Sequence, residues 1–265
     1  MSSRYYSAVP SKKMIKSASK KITISHLYDL YKSNVPIAVM TAHDYPSGLF
    51  VEKAGIEICL VGDSLSMVAL GYQTTNPITM EEMLHHCKAV ARGAKTPFLV
   101  CDMPFGSYET SPTDALKNAI RLVKEGSMEG VKIEGGVEMA ETIKKITDTG
   151  ISVLGHIGLM PQRQSSLGGY RVQGKTAEKA FKILEDAFAL QESGCFAIVL
   201  EAIPEPVGTI ITKKLRIPTI GIGAGNGTSG QVLVQQDVLG VYDQFVPKFC
   251  KQYVDLDKII VKALD

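Results

Sequence analysis

The chain has 265 residues, 45% of them hydrophobic and 21% charged, ordinary globular values that exclude a wholly disordered protein. At this length one large domain is the default, and no apolar stretch reaches the 18 residues a membrane helix needs. The net charge of +2 is unevenly placed. Arg4, Lys12, Lys13, Lys16, Lys20 and Lys21 all precede the first acid, Asp29, which leaves 23 basic against 27 acidic residues. A mildly acidic body argues against nucleic acid as the main partner. The five cysteines (59, 87, 101, 195, 250) contain no C-x-x-C pair and read as reduced thiols, mostly in strands.

Residues 1–21 are basic, rich in serine and free of acid, a composition that predicts a mitochondrial transit segment. A solvated basic tail is the alternative. No long apolar segment is present there, which argues against a secretory signal. The remainder, 22–265, reads as one catalytic domain.

From residue 35 short apolar runs alternate with helical patterns. The runs are Pro36–Thr41, Glu57–Val61, Pro97–Cys101, Gly130–Ile133, Ile151–Gly155, Cys195–Leu200 and Ile217–Ile222, with an eighth near Gln231–Leu239. Their Val, Ile and Leu content suits strands buried on both faces. Between them, Thr79-Met-Glu-Glu82 is a capping box, and Ser111-Pro112 supplies an N-cap and a proline at N1. Ala115, Leu116, Ala119, Ile120 and Val123 then repeat at helical spacing up to Gly126. Thr176 to Gly194 repeats the scheme, with Ala180, Phe181, Leu184, Ala187 and Phe188 on one stripe, and Glu138 to Gly150 is a shorter helix. Strand–helix alternation implies parallel strands with right-handed crossovers. The pattern predicts an α/β fold, a single-domain (β/α)₈ barrel; an open doubly wound sheet is the alternative, because a sequence does not show closure.

The residues that follow the strands carry the chemistry. Asp63 and Ser64 follow the second run, Asp102 ends the third, Lys132 and Glu134 the fourth, His156 the fifth and Glu201 the sixth. Parallel strands bring these ends to one rim, where barrel enzymes assemble their sites. Carboxylates converging there would repel unless a cation or Lys132 offsets them. Oxygen ligands without thiolates point to Mg²⁺ rather than zinc. The alternative is that some of these acids cap helices or pair with nearby Lys and Arg. His156 is a candidate base or a hydrogen-bonded rim histidine, whereas His85-His86 lies in the capped helix, partly at the surface. Gly225-Asn-Gly227-Thr-Ser-Gly230 satisfies G-x-G-x-x-G, but a dinucleotide fingerprint opens a βαβ unit with an acid after a second strand, and the 35 residues after Gly230 are too few for the rest of such a domain. It reads instead as close backbone packing or a ligand-facing loop.

At these residues the chain resembles the ketopantoate hydroxymethyltransferase family. The matching segments are Thr41-Ala-His-Asp-Tyr45, Leu60-Val-Gly-Asp-Ser-Leu65, Asp102-Met-Pro-Phe105 and Val131-Lys-Ile-Glu-Gly-Gly136. Gly155-His-Ile-Gly-Leu159, Leu167-Gly-Gly-Tyr-Arg-Val-Gln-Gly174, Leu200-Glu201 and Ile220-Gly-Ile-Gly-Ala-Gly-Asn226 continue the match in order. The run Gly221–Val234 particularly resembles fungal members. The resemblance implies a (β/α)₈ barrel that uses Mg²⁺, with Asp63 and Asp102 as metal ligands and Glu134 helping to hold the ion through water. It implies that Asp63, Ser64, Asp102 and Lys132 contact a 2-oxo acid and that Glu201 is the general base.

The implied reaction moves a hydroxymethyl group from 5,10-methylenetetrahydrofolate to 3-methyl-2-oxobutanoate, giving 2-dehydropantoate, the first step of pantothenate biosynthesis, through an enolate. The partners implied are these small molecules and further copies of the chain, a homo-oligomer of ten. Family members usually continue into a tail with Phe-Pro and His-x-Phe elements, and this sequence ends at Asp265. Either the sequence is short, or closure over the site differs and activity is reduced. Two rivals share the pattern: a Mg²⁺-dependent lyase or phosphomutase barrel acting on 2-oxo acids, and a non-catalytic binding barrel.

Overall fold

A computed structural model describes residues 20–242 and 246–265. The transit segment expected at 1–21 lies outside the described residues apart from Lys20 and Lys21. Lys21 is tied to the body: its ammonium donates to Pro97 O at 2.6 Å and meets Glu129 at 2.5 Å.

In chain order the elements are α1 (Ile24–Lys32), β1 (Ile37–Thr41), α2 (Tyr45–Ala54), β2 (Ile58–Val61), α3 (Leu65–Val68), α4 (Met80–Gly93) and β3 (Phe98–Asp102). There follow α5 (Pro112–Lys124), β4 (Gly130–Glu134), α6 (Ala140–Thr147), β5 (Ser152–Gly158), α7 (Gln164–Leu167), α8 (Ala177–Glu192) and β6 (Ala197–Glu201). The chain closes with α9 (Glu205–Lys214), β7 (Thr219–Ile222), β8 (Gly230–Leu233), α10 (Gln235–Leu239) and α11 (Leu256–Leu264). All neighbouring strands are parallel, and β8 pairs with β1 from Ile37 opposite Gly230 to Met40 opposite Leu233. That last pairing closes the barrel and removes the open-sheet alternative.

Strand periodicity sorts the core into two layers. Ile58, Leu60, Phe98, Val100, Leu154, Val199 and Ile220 belong to an inner cluster, while Cys59, Val61, Cys101, Val131, Val153 and Ile198 pack outward under the helices. Each such side chain fully buried contributes about 1.5–3 kcal/mol. Across the N-terminal end lies α1, whose Leu27 shares the inner cluster with Ile37, Ile58 and Phe98.

The predicted caps are present. Thr79 N–H donates to Glu82 Oε2 at 2.8 Å while Glu82 N–H donates to Thr79 Oγ1 at 3.2 Å, starting α4. Ser111 Oγ accepts Asp114 N–H at 3.1 Å and Pro112 opens α5. His85 is exposed and His86 half-buried, as the capped helix predicts.

Three readings need correction. The eighth run is only Gly230–Leu233, because Val234 turns the chain and Gln235–Leu239 coils as α10, ended by Gly240 in the left-handed region at φ 62°. On α8 the buried face is Ile183, Ala187 and Leu190, so Phe181 is 67% exposed and Phe188 37%. The stripe drawn from the sequence is rotated around the helix, since aromatic residues mark an apolar face without saying what covers it. Among the cysteines, Cys59 and Cys101 lie in strands, whereas Cys87 is in α4; all are free thiols. The G-x-G-x-x-G loop is close packing: a Cβ on Gly230 would stand 2.3 Å from Ile37 O, where β8 meets β1.

Candidate active site

The same alternation that buries Phe98 and Val100 aims Asp102 into the barrel. Likewise Lys132 and Glu134 share a face of β4, His156 shares that of Leu154, and Glu201 that of Val199. Register places Asp102 opposite Lys132 and Glu134 opposite His156. The strand-end residues predicted to meet therefore do so: Asp63, Ser64, Asp102, Lys132, Glu134, His156 and Glu201 all line one cavity of about 610 Å³ at the C-terminal rim.

Within it, Asp63 N–H donates to Asp102 Oδ2 at 2.9 Å, joining the ends of β2 and β3. The Lys132 ammonium lies 3.2 Å from Asp102 Oδ1 and 3.1 Å from His156 Nδ1. An ammonium has no lone pair to offer, so His156 Nδ1 accepts and Nε2 carries the ring proton. That Nε2 faces Glu201 Oε2 at 3.1 Å without the alignment of a hydrogen bond.

Burial dominates the electrostatics. It pushes the carboxyls of Asp63 and Glu134 up; each gains a further push from neighbouring acids and is pulled back by Lys132. Burial raises Glu201 to about 8, against the pull of Lys132. On Lys132 burial acts downward, but Asp102, Glu134 and Asp63 together outweigh it and hold the ammonium charged. Burial and then Lys132 push His156 well below its ordinary value, keeping the imidazole neutral.

Glu201 is positioned by tight backbone. Gly158, opposite it in the register, has φ 95°, and a Cβ there would stand 2.3 Å from Glu201 O. Ala202 follows at φ 46°, an uncommon conformation for a residue with a side chain. It is held by Ala202 N–H to Ile222 O and by Gln173 N–H to Ala202 O, both at 2.8 Å.

Sequence reasoning missed Gln162. Its Nε2 donates to Asp63 Oδ2 at 2.8 Å and to Met103 O at 3.0 Å, its N–H donates to Glu134 Oε2 at 3.1 Å, and its Oε1 accepts the Tyr108 hydroxyl at 2.6 Å. No motif flags a lone glutamine two residues after Met160. A cue was available in its position, on the loop after β5 that must cover the same rim.

The oxygens at this rim suit a hard divalent cation. Among the described residues no three of His, Cys, Asp and Glu gather at ligand spacing. Mg²⁺ needs only one or two carboxylates and keeps waters. Asp102 Oδ1, offset only by the Lys132 ammonium at 3.2 Å, and Glu134 Oε1 are buried without an aligned hydrogen bond, and Asp63 stands beside Asp102. This arrangement of hard oxygens, with acceptor capacity unused, fits such an ion.

A family model for ketopantoate hydroxymethyltransferase matches residues 21–265. The 3-methyl-2-oxobutanoate hydroxymethyltransferase of Emericella nidulans is 57% identical over 239 residues, 89% of this chain and 68% of that protein. The Arabidopsis thaliana protein named 3-methyl-2-oxobutanoate hydroxymethyltransferase 1, mitochondrial, is 51% identical over 252 residues, 93% of this chain and 73% of the other. In three dimensions a phosphonopyruvate hydrolase solved with oxalate and Mg²⁺ superposes with a TM-score of 0.61 over 91% of this chain and 83% of its own. At 12% identity that likeness shows the shared barrel alone. A family match over residues 21–265 and relatives at this identity, on a closed parallel barrel, place the chain in the ketopantoate hydroxymethyltransferase family.

Proposed function

We propose that this hydroxymethyltransferase carries a one-carbon unit from 5,10-methylenetetrahydrofolate to 3-methyl-2-oxobutanoate, forming 2-dehydropantoate for pantothenate biosynthesis. The observation that carries the reading is Glu201, a carboxyl raised by burial that shares one cavity with Asp63, Asp102 and Lys132. Asp63 and Asp102 would hold Mg²⁺, with Glu134 completing its surroundings. When bound, the ion supplies positive charge to the oxygens of the 2-oxo acid. Lys132 balances the substrate carboxylate, and Ser64 lines the cavity beside it. Glu201, in the ionised form that Lys132 favours and a bound cation would favour further, takes the proton from C3, and the neutral His156 ring lies 3.1 Å from its carboxyl. The carbanion forms the new carbon–carbon bond with the folate-borne methylene carbon, whose bonds to N5 and N10 both break; water supplies the hydroxyl oxygen, and tetrahydrofolate leaves with the C3 proton and one water proton on those nitrogens.

The test is exchange of the C3 hydrogen for deuterium in 3-methyl-2-oxobutanoate, followed by NMR with and without Mg²⁺. Exchange that needs the ion but no folate, together with product that needs both, is the expected result. Product formed without folate would point to a lyase-type barrel, and binding without exchange to a non-catalytic one.

We also propose a mitochondrial address, which the composition of residues 1–21 and the names of the plant relatives support. A fluorescent fusion with and without that segment tests it. No helix among the described residues is long and apolar enough to cross a membrane. A homo-oligomer of ten is proposed on the resemblance. Uncovered apolar side chains at Phe181, Ile259, Val261 and Leu264 support association, and sedimentation tests it.

A further inference from the structure

The groups assigned above come from β2 through β6, on one side of the cavity. The opposite side, at the ends of β7, β8 and β1, has a carboxyl of its own. Asp237, in α10, is 7% exposed and lines the same cavity, yet its carboxylate has no hydrogen bond and no cation within ion-pair distance among the described residues. A buried carboxylate without partners is costly, and such groups in native proteins call for a ligand or a reason. Here the helix that carries it is fastened in place. Gln235 N–H donates to Thr41 Oγ1 at 3.0 Å, Gln235 Nε2 donates to Ser47 O at 3.3 Å, and Gln236 Nε2 lies 3.1 Å from His43 Nδ1. The neighbouring glutamines are spent on anchoring, and the carboxylate, open to the cavity, meets no protein partner among the described residues. Burial alone acts on it and raises it to about 6, so it is chiefly ionised at neutral pH.

Size and chemistry say what is missing. A 2-oxo acid with eight heavy atoms fills only a fraction of about 610 Å³. The free part is lined by apolar and aromatic groups, including Val172, Ile222, Val234 and Tyr242. Such a slot suits a flat heterocycle, and a carboxylate at its wall suits two adjacent N–H donors. We propose that Asp237 recognises the pteridine of the folate co-substrate, accepting hydrogen bonds from its N3–H and 2-amino group. The inference rests on the folate reading above. Arg171 and Lys248, exposed at the rim of the same cavity and in no ion pair among the described residues, face the anionic glutamate end.

The test measures tetrahydrofolate binding by calorimetry on the Mg²⁺-loaded full chain, with the parent, Asp237→Asn and Asp237→Ala. A 2-desamino analogue of tetrahydrofolate, which lacks one of the two donors, is the second probe. The parent should prefer tetrahydrofolate over the analogue by at least about tenfold, and Asp237→Ala should lose that preference. Asp237→Asn, with one acceptor left, should weaken tetrahydrofolate by about tenfold or more. Binding of 3-methyl-2-oxobutanoate reports whether each variant keeps a folded site. If the parent binds tetrahydrofolate and the variants bind it equally well, or keep the preference over the analogue, Asp237 is not the recognising group. If oxo acid binding falls in step with folate binding, Asp237 supports the site structurally and the proposal fails. A parent that binds no tetrahydrofolate overturns the folate reading itself, and this inference with it.

Discussion

Gln162 reaches two carboxyls that would otherwise repel: its Nε2 donates to Asp63 Oδ2 at 2.8 Å while its backbone N–H donates to Glu134 Oε2 at 3.1 Å. One loop residue thereby braces β2 against β4, and Tyr108 in turn locks the amide by donating to its Oε1. Partners that orient ligand groups are typically worth about 10–100-fold in metal affinity. Gln162→Leu should weaken Mg²⁺-dependent binding of the 2-oxo acid by about that factor, as read by calorimetry. Unchanged affinity would show that Asp63 and Glu134 hold their places unaided.

Asp63→Ala or Asp102→Ala should abolish Mg²⁺-dependent binding of the 2-oxo acid while the protein still melts cooperatively. The reason is positional, since rim residues of a barrel contribute little to its packed layers. Parental affinity in either variant would remove that residue from the proposed ligand set.

Glu201→Gln separates binding from chemistry. Glutamine keeps the shape but accepts no proton, so Mg²⁺ and 3-methyl-2-oxobutanoate should still bind through Asp63, Asp102 and Lys132. Deuterium exchange at C3 should fall by at least about 10²–10⁴-fold, the usual contribution of a positioned base. Persistent exchange would place the base elsewhere and make His156, whose ring lies 3.1 Å away, the next residue to substitute.

Stability should respond to pH in a stated direction. Burial raises the folded carboxyl of Glu201 to about 8, whereas the unfolded chain releases that proton near 4.3. Between about pH 4.3 and 8 the folded protein holds the extra proton, so its stability falls as pH rises, by up to about 1.4 kcal/mol per pH unit from this group, and the contribution is gone above its folded pKa. Glu134 acts in the same direction. His156, lowered in the folded state, opposes this trend only below about pH 6.5. Thermal melts in metal-free buffer should therefore drop between pH 7 and 8, with a shallower drop in Glu201→Gln. Equal slopes in parent and variant would mean that Glu201 is already ionised in the folded protein.

Gly158→Ala should cost about 1–3 kcal/mol, because the residue sits at φ 95° and the new Cβ would press on Glu201 O. C3 exchange should fall as well, since relief of that clash displaces the proposed base. A variant with the parental melting point and exchange rate would contradict the close approach.

The barrel was legible because its physics repeats: each β unit buries a Val- or Ile-rich run, and each following helix carries its own cap, as at Thr79 and Ser111. The acids were legible for a related reason, because alternation along a strand decides that Asp102 faces inward once Val100 does. What stayed hidden depends on distance across the rim. Gln162 acts through contacts with residues 28 and 99 positions away, and a neutral amide gives no charge pattern to notice. Phe181 misled for the converse reason, since its apolar side chain points out of the single chain at 67% exposure.

The helix laid across the floor of the barrel has a kinetic consequence. With Leu27 sealing the N-terminal end, the cavity reaches solvent at the opposite rim, so both reactants use the same doorway. The groups proposed to hold the 2-oxo acid, Asp102 at 3% exposure and Lys132 at 5%, lie deep in that passage, while Arg171 and Lys248 stand at its threshold. A folate seated across the threshold, as proposed above, would bar the way in and out. On that proposal turnover is expected to be sequential in space as well as in chemistry: the oxo acid arrives first, the spent folate leaves first, and the newly built carbon skeleton is the last to go.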